Sequence, residues 1–365
     1  MNPLCLRKGH MAQSRPLRQH LARRVTTPRI GGMNRRMNAS APKATVLLST
    51  YNGARWLPEL IDSIEAQTFT QWQVLARDDG SNDASNAIMT SWAKSSQRVR
   101  LESPTPHIGP SRSFMHLLSS LDSAHFAFCD QDDVWHPDRL EVGLDHLAGR
   151  DPYEDEVAVS TAVDVVDARL TPVSRPTPRG TVAQADFAIG PLLLNNAAIG
   201  ATMMGTAALA RSAIRLAQDG PVGMHDWWCA LVAASRGSLV FDRRATLQWR
   251  RHKDTYTGTA PRGLKRRLQR RRAYLLDARD MAQRLLTEPD AIVSDDVFVA
   301  LGALARTEPT DLSLADYRRL DRVGASAKSW RRRATLLAAC VDRSGATDFG
   351  LGTATPPRPA ENPKR

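Results

Sequence analysis

Along the first part of the chain, short apolar runs alternate with stretches whose apolar residues recur at helical spacing. Ala44-Thr45-Val46-Leu47-Leu48-Ser49 is an unbroken, β-branched run, as a strand buried on both faces requires. A turn at Tyr51-Asn52-Gly53 follows, and Leu57, Leu60, Ile61 and Ile64 then fall on one helix face. The alternation repeats with a strand over residues 73–76 and a helix carried by Ile88 and Trp92, for which Ser81 or Asn82 is the expected cap. A short strand over 99–101, a helix over 111–121 and a strand over 125–129 complete it. Strands and helices in this order predict βαβ units, hence an α/β fold with a mainly parallel, Rossmann-like sheet flanked by helices.

After residue 156 the pattern is less regular. A strand is expected near 157–163, a Pro- and Arg-rich loop over 171–180, and a late strand over 239–241. From 262 onward the chain turns basic and helical, with Leu264, Leu268, Leu275 and Leu285 on one face. The expected partition is a disordered basic arm (1–42), a nucleotide-binding domain (43–260), a helical C-terminal extension (261–348) and a disordered Pro-rich tail (349–365).

Charge alters this picture less than its total suggests. The net charge is +12, but residues 1–42 hold eight Arg and one Lys, and the first acidic residue is Glu59. The body is therefore only mildly basic. The arm lacks the continuous apolar core of a secretory signal, and Met33 and Met37 offer alternative starts. Four scattered cysteines show neither paired nor metal-ligand spacing, which fits a reducing, cytoplasmic setting. No stretch reaches the ~18–20 apolar residues of a membrane span. The basic run 262–272 suits the anionic, cytoplasmic face of an inner membrane, giving peripheral contact near a lipid-linked acceptor, and it suits a solvated helix face equally well. No stacking-aromatic platform accompanies it, so nucleic acid is not expected as a partner.

Ligands of open parallel sheets bind outside the carboxyl ends of the strands. Three polar clusters stand at such ends: Thr50-Tyr51-Asn52, Asp78-Asp79 and Asp130-Gln131-Asp132-Asp133. Three carboxylates within four residues repel one another unless a cation or a set of donors neutralises them. Their oxygens suit a hard divalent ion, Mg²⁺ or Mn²⁺, shared with substrate phosphates. An acidic loop that caps the helix near Pro137 and Asp138 is the structural alternative, as is a plain Asp-Gly turn for Asp78-Asp79-Gly80.

Taken together and in order, Ser49-Thr50-Tyr51-Asn52-Gly53, Arg77-Asp78-Asp79-Gly80-Ser81-Asn82-Asp83 and Cys129-Asp130-Gln131-Asp132-Asp133-Val134-Trp135 resemble the successive signatures of glycosyltransferase family 2. Within it, the sequence is most similar to bacterial rhamnosyltransferase-like enzymes of surface-polysaccharide synthesis. The resemblance spans about residues 44–258 and implies a GT-A fold. It also implies a nucleoside-diphosphate sugar donor, dTDP-rhamnose or a UDP-sugar, and a saccharide or lipid-linked acceptor.

Carried over by position, the resemblance places Thr50, Tyr51, Asn52, Asp78 and Asp79 at the nucleotide, and Asp130 and Asp132 at the metal. Asp226, in His225-Asp226-Trp227-Trp228, would be the general base of an inverting displacement, and a helix N-cap is its alternative role. Trp249-Arg250-Arg251-His252 is similar to a stretch that follows the last strand in these enzymes, with Arg250 near phosphate and His252 near metal. Asn196 lies in a stretch similar to the acceptor region, where Ala201 replaces the usual Cys. His107 and Ser113 depart from the subgroup's asparagines. A sugar-phosphate nucleotidyltransferase is the competing enzyme, although the Gly-rich basic phosphate loop of that class is missing around 49–53. A nucleic-acid-binding protein with a basic arm is the non-enzymatic alternative.

Overall fold

A computed structural model describes residues 42–102, 106–173, 182–217, 220, 222–252, 264–288, 293–306 and 313–325. The expected arm and tail, and the helical residues expected beyond 325, lie outside the described residues.

The first half follows the predicted alternation: β1 (Ala44–Thr50), α1 (Leu57–Glu65), β2 (Trp72–Asp78), α2 (Ser85–Ser95), β3 (Val99–Leu101), α3 (Pro110–Ser119) and β4 (His125–Asp130). Next come β5 (Val134–Trp135), α4 (Arg139–Leu147), β6 (Ala158–Asp167), the single turn α5 (Ile189–Leu192), β7 (Met204–Thr206), α6 (Ala207–Ala217), α7 (His225–Ser235) and β8 (Leu239–Arg251). Helices α8 (Leu264–Leu286), α9 (Asp295–Arg306) and α10 (Leu314–Arg322) form the C-terminal extension.

One eight-stranded sheet runs in the order β3-β2-β1-β4-β7-β6-β8-β5. Strands β3, β2, β1 and β4 are mutually parallel, as are β6 and β8, whereas β7 is antiparallel to β4 and β6, and β5 to β8. Because β7 is reversed against both neighbours, β4, β6 and β8 all end at the same edge. The chain order reverses between β2-β1 and β4, so a crevice at the carboxyl ends of β1 and β4 is the position favoured for a ligand.

Burial on both faces explains the unbroken apolar runs of the central strands. On one face Leu47, Leu75, Phe126 and Phe128 pack with α3, α6, α7 and the C-terminal helices. On the other, Val46, Leu48, Val74, Ala76, Ala127 and Cys129 pack with α1, α2 and α4. Phe128 meets the rings of Phe114 edge-on at 5.4 Å and Phe126 at 4.9 Å.

Local details differ from the sequence expectation in three places. Helix α2 starts at Ser85 behind Ala84, without a side-chain cap, because Ser81 is engaged by Asp78 instead. The last strand is thirteen residues long and contains Trp249, Arg250 and Arg251, so the aromatic-basic stretch lies largely within it rather than after it. Charged Asp242, Arg243 and Arg244 break its apolar pattern, but ladder bonds to β6 carry the strand through with register shifts near Ala162. Asp226 sits in the first turn of α7, one residue inside the helix, with Met224 as the N-cap.

Truncating Phe128 to Ala removes a fully buried ring packed against Phe114, Phe126 and His225. It should lower stability by about 3–5 kcal/mol, read as a fall in the urea midpoint at unchanged denaturant slope.

Candidate active site

The ends of β1 and β2 are tied to each other. Thr50 Oγ1 donates to Asp78 Oδ1 at 3.1 Å, and Asp78 also accepts from Ser81 through Oγ (2.6 Å) and N–H (3.1 Å). One acceptor position of the Asp78 carboxylate is left over. Asp79 is more fully engaged. Arg77 pairs with it at 3.0 Å, the amides of Ile108 and Gly109 donate to its two oxygens at 2.9 and 2.8 Å, and His107 Nδ1 lies 3.0 Å from Oδ2. Asn52 takes a left-handed backbone (φ 51), which asparagine tolerates. Its N–H donates to Ser81 Oγ and its Oδ1 accepts from the Asn82 N–H. Thr50, Asn52 and Asp79 thus bind one another's loops. Tyr51 is 38% exposed, with its ring 4.4 Å from that of His107.

A side-chain amide joins β1 to β4. Gln131 Oε1 accepts from the Tyr51 N–H at 2.7 Å, and its Nε2 donates to the Tyr51 carbonyl at 2.9 Å. This extends the β1–β4 pairing past the last strand residues. A Cβ at position 53 would displace that amide, which glycine leaves in place.

The acidic cluster divides by depth. Asp130 is half-buried, and burial, followed by the charges of Asp132 and Asp226, pushes its carboxyl up to about 7, with Arg139 pulling the other way. Asp132 Oδ2 lies 2.8 Å from His252 Nε2. Asp133 is buried beneath them. Its Oδ1 accepts from the Arg250 N–H at 3.0 Å, its Oδ2 has no partner, and burial holds its carboxyl well above the usual range. Arg139, 1% exposed, donates to the Phe128 carbonyl at 3.0 Å and lies over the Trp135 ring at 4.1 Å. Burial lowers its pKa to about 10, so it remains cationic under the cluster.

Arg250 was expected near phosphate. It is instead 2% exposed, its Nε donates to the Asp132 carbonyl (2.8 Å), its Nη1 to the Ala168 carbonyl (3.1 Å), and its Nη2 pairs with Glu59. That geometry makes it a strut below the cluster, not a group facing a ligand.

Asp226 approaches from the opposite side. Its Oδ2 accepts from the Gly200 N–H at 3.1 Å and its Oδ1 from the Trp227 N–H at 2.7 Å. A Cβ at position 200 would come within 3.1 Å of the Asp226 Cβ, a tight contact that glycine avoids as this amide approaches. The neighbouring His225 ring stacks on Phe114 at 4.1 Å and meets Phe128 edge-on at 4.7 Å. Neither of its nitrogens has a hydrogen-bond partner, and burial lowers its pKa to about 4, so it is neutral at pH 7. Phe128 precedes Asp130 by two residues, which sets Asp226 beside the end of β4. The half-buried Asn196 accepts the Ala198 N–H on its own Oδ1, a turn role.

Residues 45–198 match the model of Glycosyl transferase family 2. Over those residues the chain is similar to family 2 glycosyltransferases. An uncharacterized glycosyltransferase of Rickettsia typhi is 24% identical over 229 residues, which is 62% of this chain and 69% of the relative. Among solved structures, Staphylococcus aureus TarS in complex with UDP-GlcNAc aligns with a TM-score of 0.54 at 15% identity, over 82% of this chain and 88% of TarS. The Pyrobaculum calidifontis mannosyltransferase PcManGT, in complex with GDP-Man and Mn²⁺, aligns with a TM-score of 0.50 at 19% identity, over 82% of this chain and 86% of that one. These likenesses agree with the expected α/β glycosyltransferase fold.

The fold brings the polar ends of β1, β2 and β4 to one sheet edge, but three contributors escaped sequence reading. Gln131 is hidden between carboxylates. His107 was marked only as a departure from the subgroup's asparagine. Arg139 had a faint one: a cation in the first turn of a helix opposes the helix dipole, and it shares a buried face with Val142 and Gly143.

Between pH ~4, where a free aspartate titrates, and about 7, the folded protein holds a proton on Asp130 that the unfolded chain has lost. Stability without divalent cations should therefore fall as pH rises through that window. Asp130→Asn should flatten the fall in urea midpoints between pH 5 and 8, and parallel curves for the two proteins would refute the assignment.

Proposed function

We propose that the protein transfers a sugar from a nucleoside-diphosphate donor to an acceptor hydroxyl with inversion at the anomeric carbon. The observation carrying this reading is the meeting, at the β1–β4 crevice, of Asp130 and Asp132 with Asp226, close enough for the Asp226 charge to raise the Asp130 carboxyl. The first two suit a metal-bound diphosphate, and the third suits a base on the acceptor side.

In this reading the nucleotide base lies at the exposed Tyr51 ring, with the remaining acceptor position of Asp78 available to a pyrimidine N3–H. Uracil and thymine share that group, so dTDP-rhamnose and UDP-sugars are both candidate donors. Thr50, Asn52 and Asp79 hold the loops that shape the pocket. The acceptor oxygen attacks the anomeric carbon, the bond from that carbon to the diphosphate oxygen breaks, and Asp226 takes the acceptor proton. Its two backbone donors fix the direction of the carboxylate for that transfer. The acceptor is a saccharide or lipid-linked glycan of a cell-surface polysaccharide.

The donor set fits Mg²⁺ or Mn²⁺. Asp130 is destabilised as an anion, and Asp132 and His252 stand together at 2.8 Å. Among the described residues no group of three His, Cys, Asp or Glu side chains forms a cage, and such ions often take one or two carboxylates and complete their shell with phosphate and water. Asp130 and Asp132 would hold the ion with His252 beside them, and the ion would offset charge on the departing diphosphate.

Among the described residues no helix is long and apolar enough to cross a membrane. The basic start of α8 supports peripheral contact with an anionic lipid face, and salt-sensitive co-sedimentation with phosphatidylglycerol vesicles is the expected result.

Nucleoside-diphosphate release from a panel of dTDP- and UDP-sugars should require Mn²⁺ or Mg²⁺, and Mn²⁺ affinity should rise with pH up to about 7 as Asp130 gives up its proton. Asp132→Ala and Asp226→Asn should each lower kcat by about 10²-fold or more. Metal-independent turnover would remove the role given to the acidic pair, and full activity in Asp226→Asn would remove the base.

A further inference from the structure

We infer that Tyr274, on the C-terminal helix α8, is a positioning residue for the Asp226 carboxylate. The inference rests on the reading of Asp226 as the base. It extends the working part of the enzyme, which with Asp226 already passes the family-matched residues 45–198, into the C-terminal helices.

Two backbone amides aim the Asp226 carboxylate, Gly200 N–H at Oδ2 and Trp227 N–H at Oδ1. They belong to different segments, one the loop entering the turn at Gly200–Thr202, the other the first turn of α7. A carboxylate held between two segments keeps its direction only while the segments keep theirs. Tyr274 touches both. Its ring stacks on Trp227 at 4.1 Å with only 17° between the planes, and its hydroxyl accepts the Asn196 N–H at 2.7 Å. Asn196 in turn accepts the Ala198 N–H through Oδ1 at 3.0 Å, two residues before Gly200. Trp227 is fully buried, and its Nε1 donates to the Leu192 carbonyl at 2.7 Å, so the ring under the stack is fixed. One side chain from α8 therefore sets both jaws of the clamp, and does so without touching the donor half of the site.

This arrangement separates turnover from donor binding. Tyr274→Phe keeps the stack and removes the acceptor of the Asn196 N–H. It should lower kcat about tenfold, the size of one hydrogen bond, while the donor KM stays within about twofold. Asn196→Ala, which releases the same loop at its other anchor, should give the same split and serves as a second variant should the first fold poorly. The decisive comparison is Tyr274→Phe in the Asp226→Asn background. A residue acting through Asp226 has no further effect on the residual rate there, whereas a merely structural residue lowers it again. Full activity of Asp226→Asn would sink the base assignment, and the positioning role with it. An inactive Asp226→Asn beside unchanged kcat in Tyr274→Phe, or equal losses in both backgrounds, would sink the positioning role alone.

Discussion

Like charges crowded at the mouth of a buried strand are the constraint around which this molecule is organised. Asp130, Asp132 and Asp133 follow an apolar strand, and Asp226 adds a fourth charge from across the crevice. Such a group tolerates burial only if cations and donors surround it. The fold supplies them from below: Arg139 stays cationic although fully enclosed, and Arg250 braces the cluster through the Asp132 carbonyl and the Asp133 carboxylate. Among the described residues, nothing comparable is recorded on the upper side of Asp130. The electrostatic deficit is thus left on the side that the proposed function gives to a donor's diphosphate and its cation.

The same logic explains how the remaining polar groups are used. Thr50, Asn52 and Asp79 have the chemistry of ligand-binding residues, yet each is committed to a neighbouring loop. A phosphate or base site needs loops held still before it needs contacts, and these residues hold them. The groups left open are fewer: the Tyr51 face, one acceptor position of Asp78, and the half-buried Asp130.

Much of this was legible in the sequence. Periodicity located the strands of the first half, and with them the edge where the clusters meet, because buried parallel strands read as continuous apolar runs. The limits of that reading are equally physical. Strand β8 is interrupted by Asp242, Arg243 and Arg244, so pattern alone ended it ten residues early. Arg250 was misread because an arginine near carboxylates looks the same in sequence whether it faces solvent or supports from behind. Gln131 and Tyr274 were invisible for a different reason: their roles are contacts with backbone far along the chain, and an amide or phenol carries no mark of which backbone it meets.

Strand β7 gives the sheet a mechanical character of its own. It spans three residues and pairs with β4 at three positions and with β6 at two. Flanking ladders are longer, the β1–β2 register covering seven positions and β6–β8 nine. Elastic compliance within the sheet is therefore concentrated along one narrow seam. On one side of it lie the strands that bear Asp78 and Asp130, and on the other the long β6–β8 ribbon that ends beside His252. A small change of twist at the seam acts through those long strands as through levers, so the short segment from Asp130, which ends β4, to Asp132, which Arg250 of β8 holds, is the place where the two stiff plates would register their relative motion.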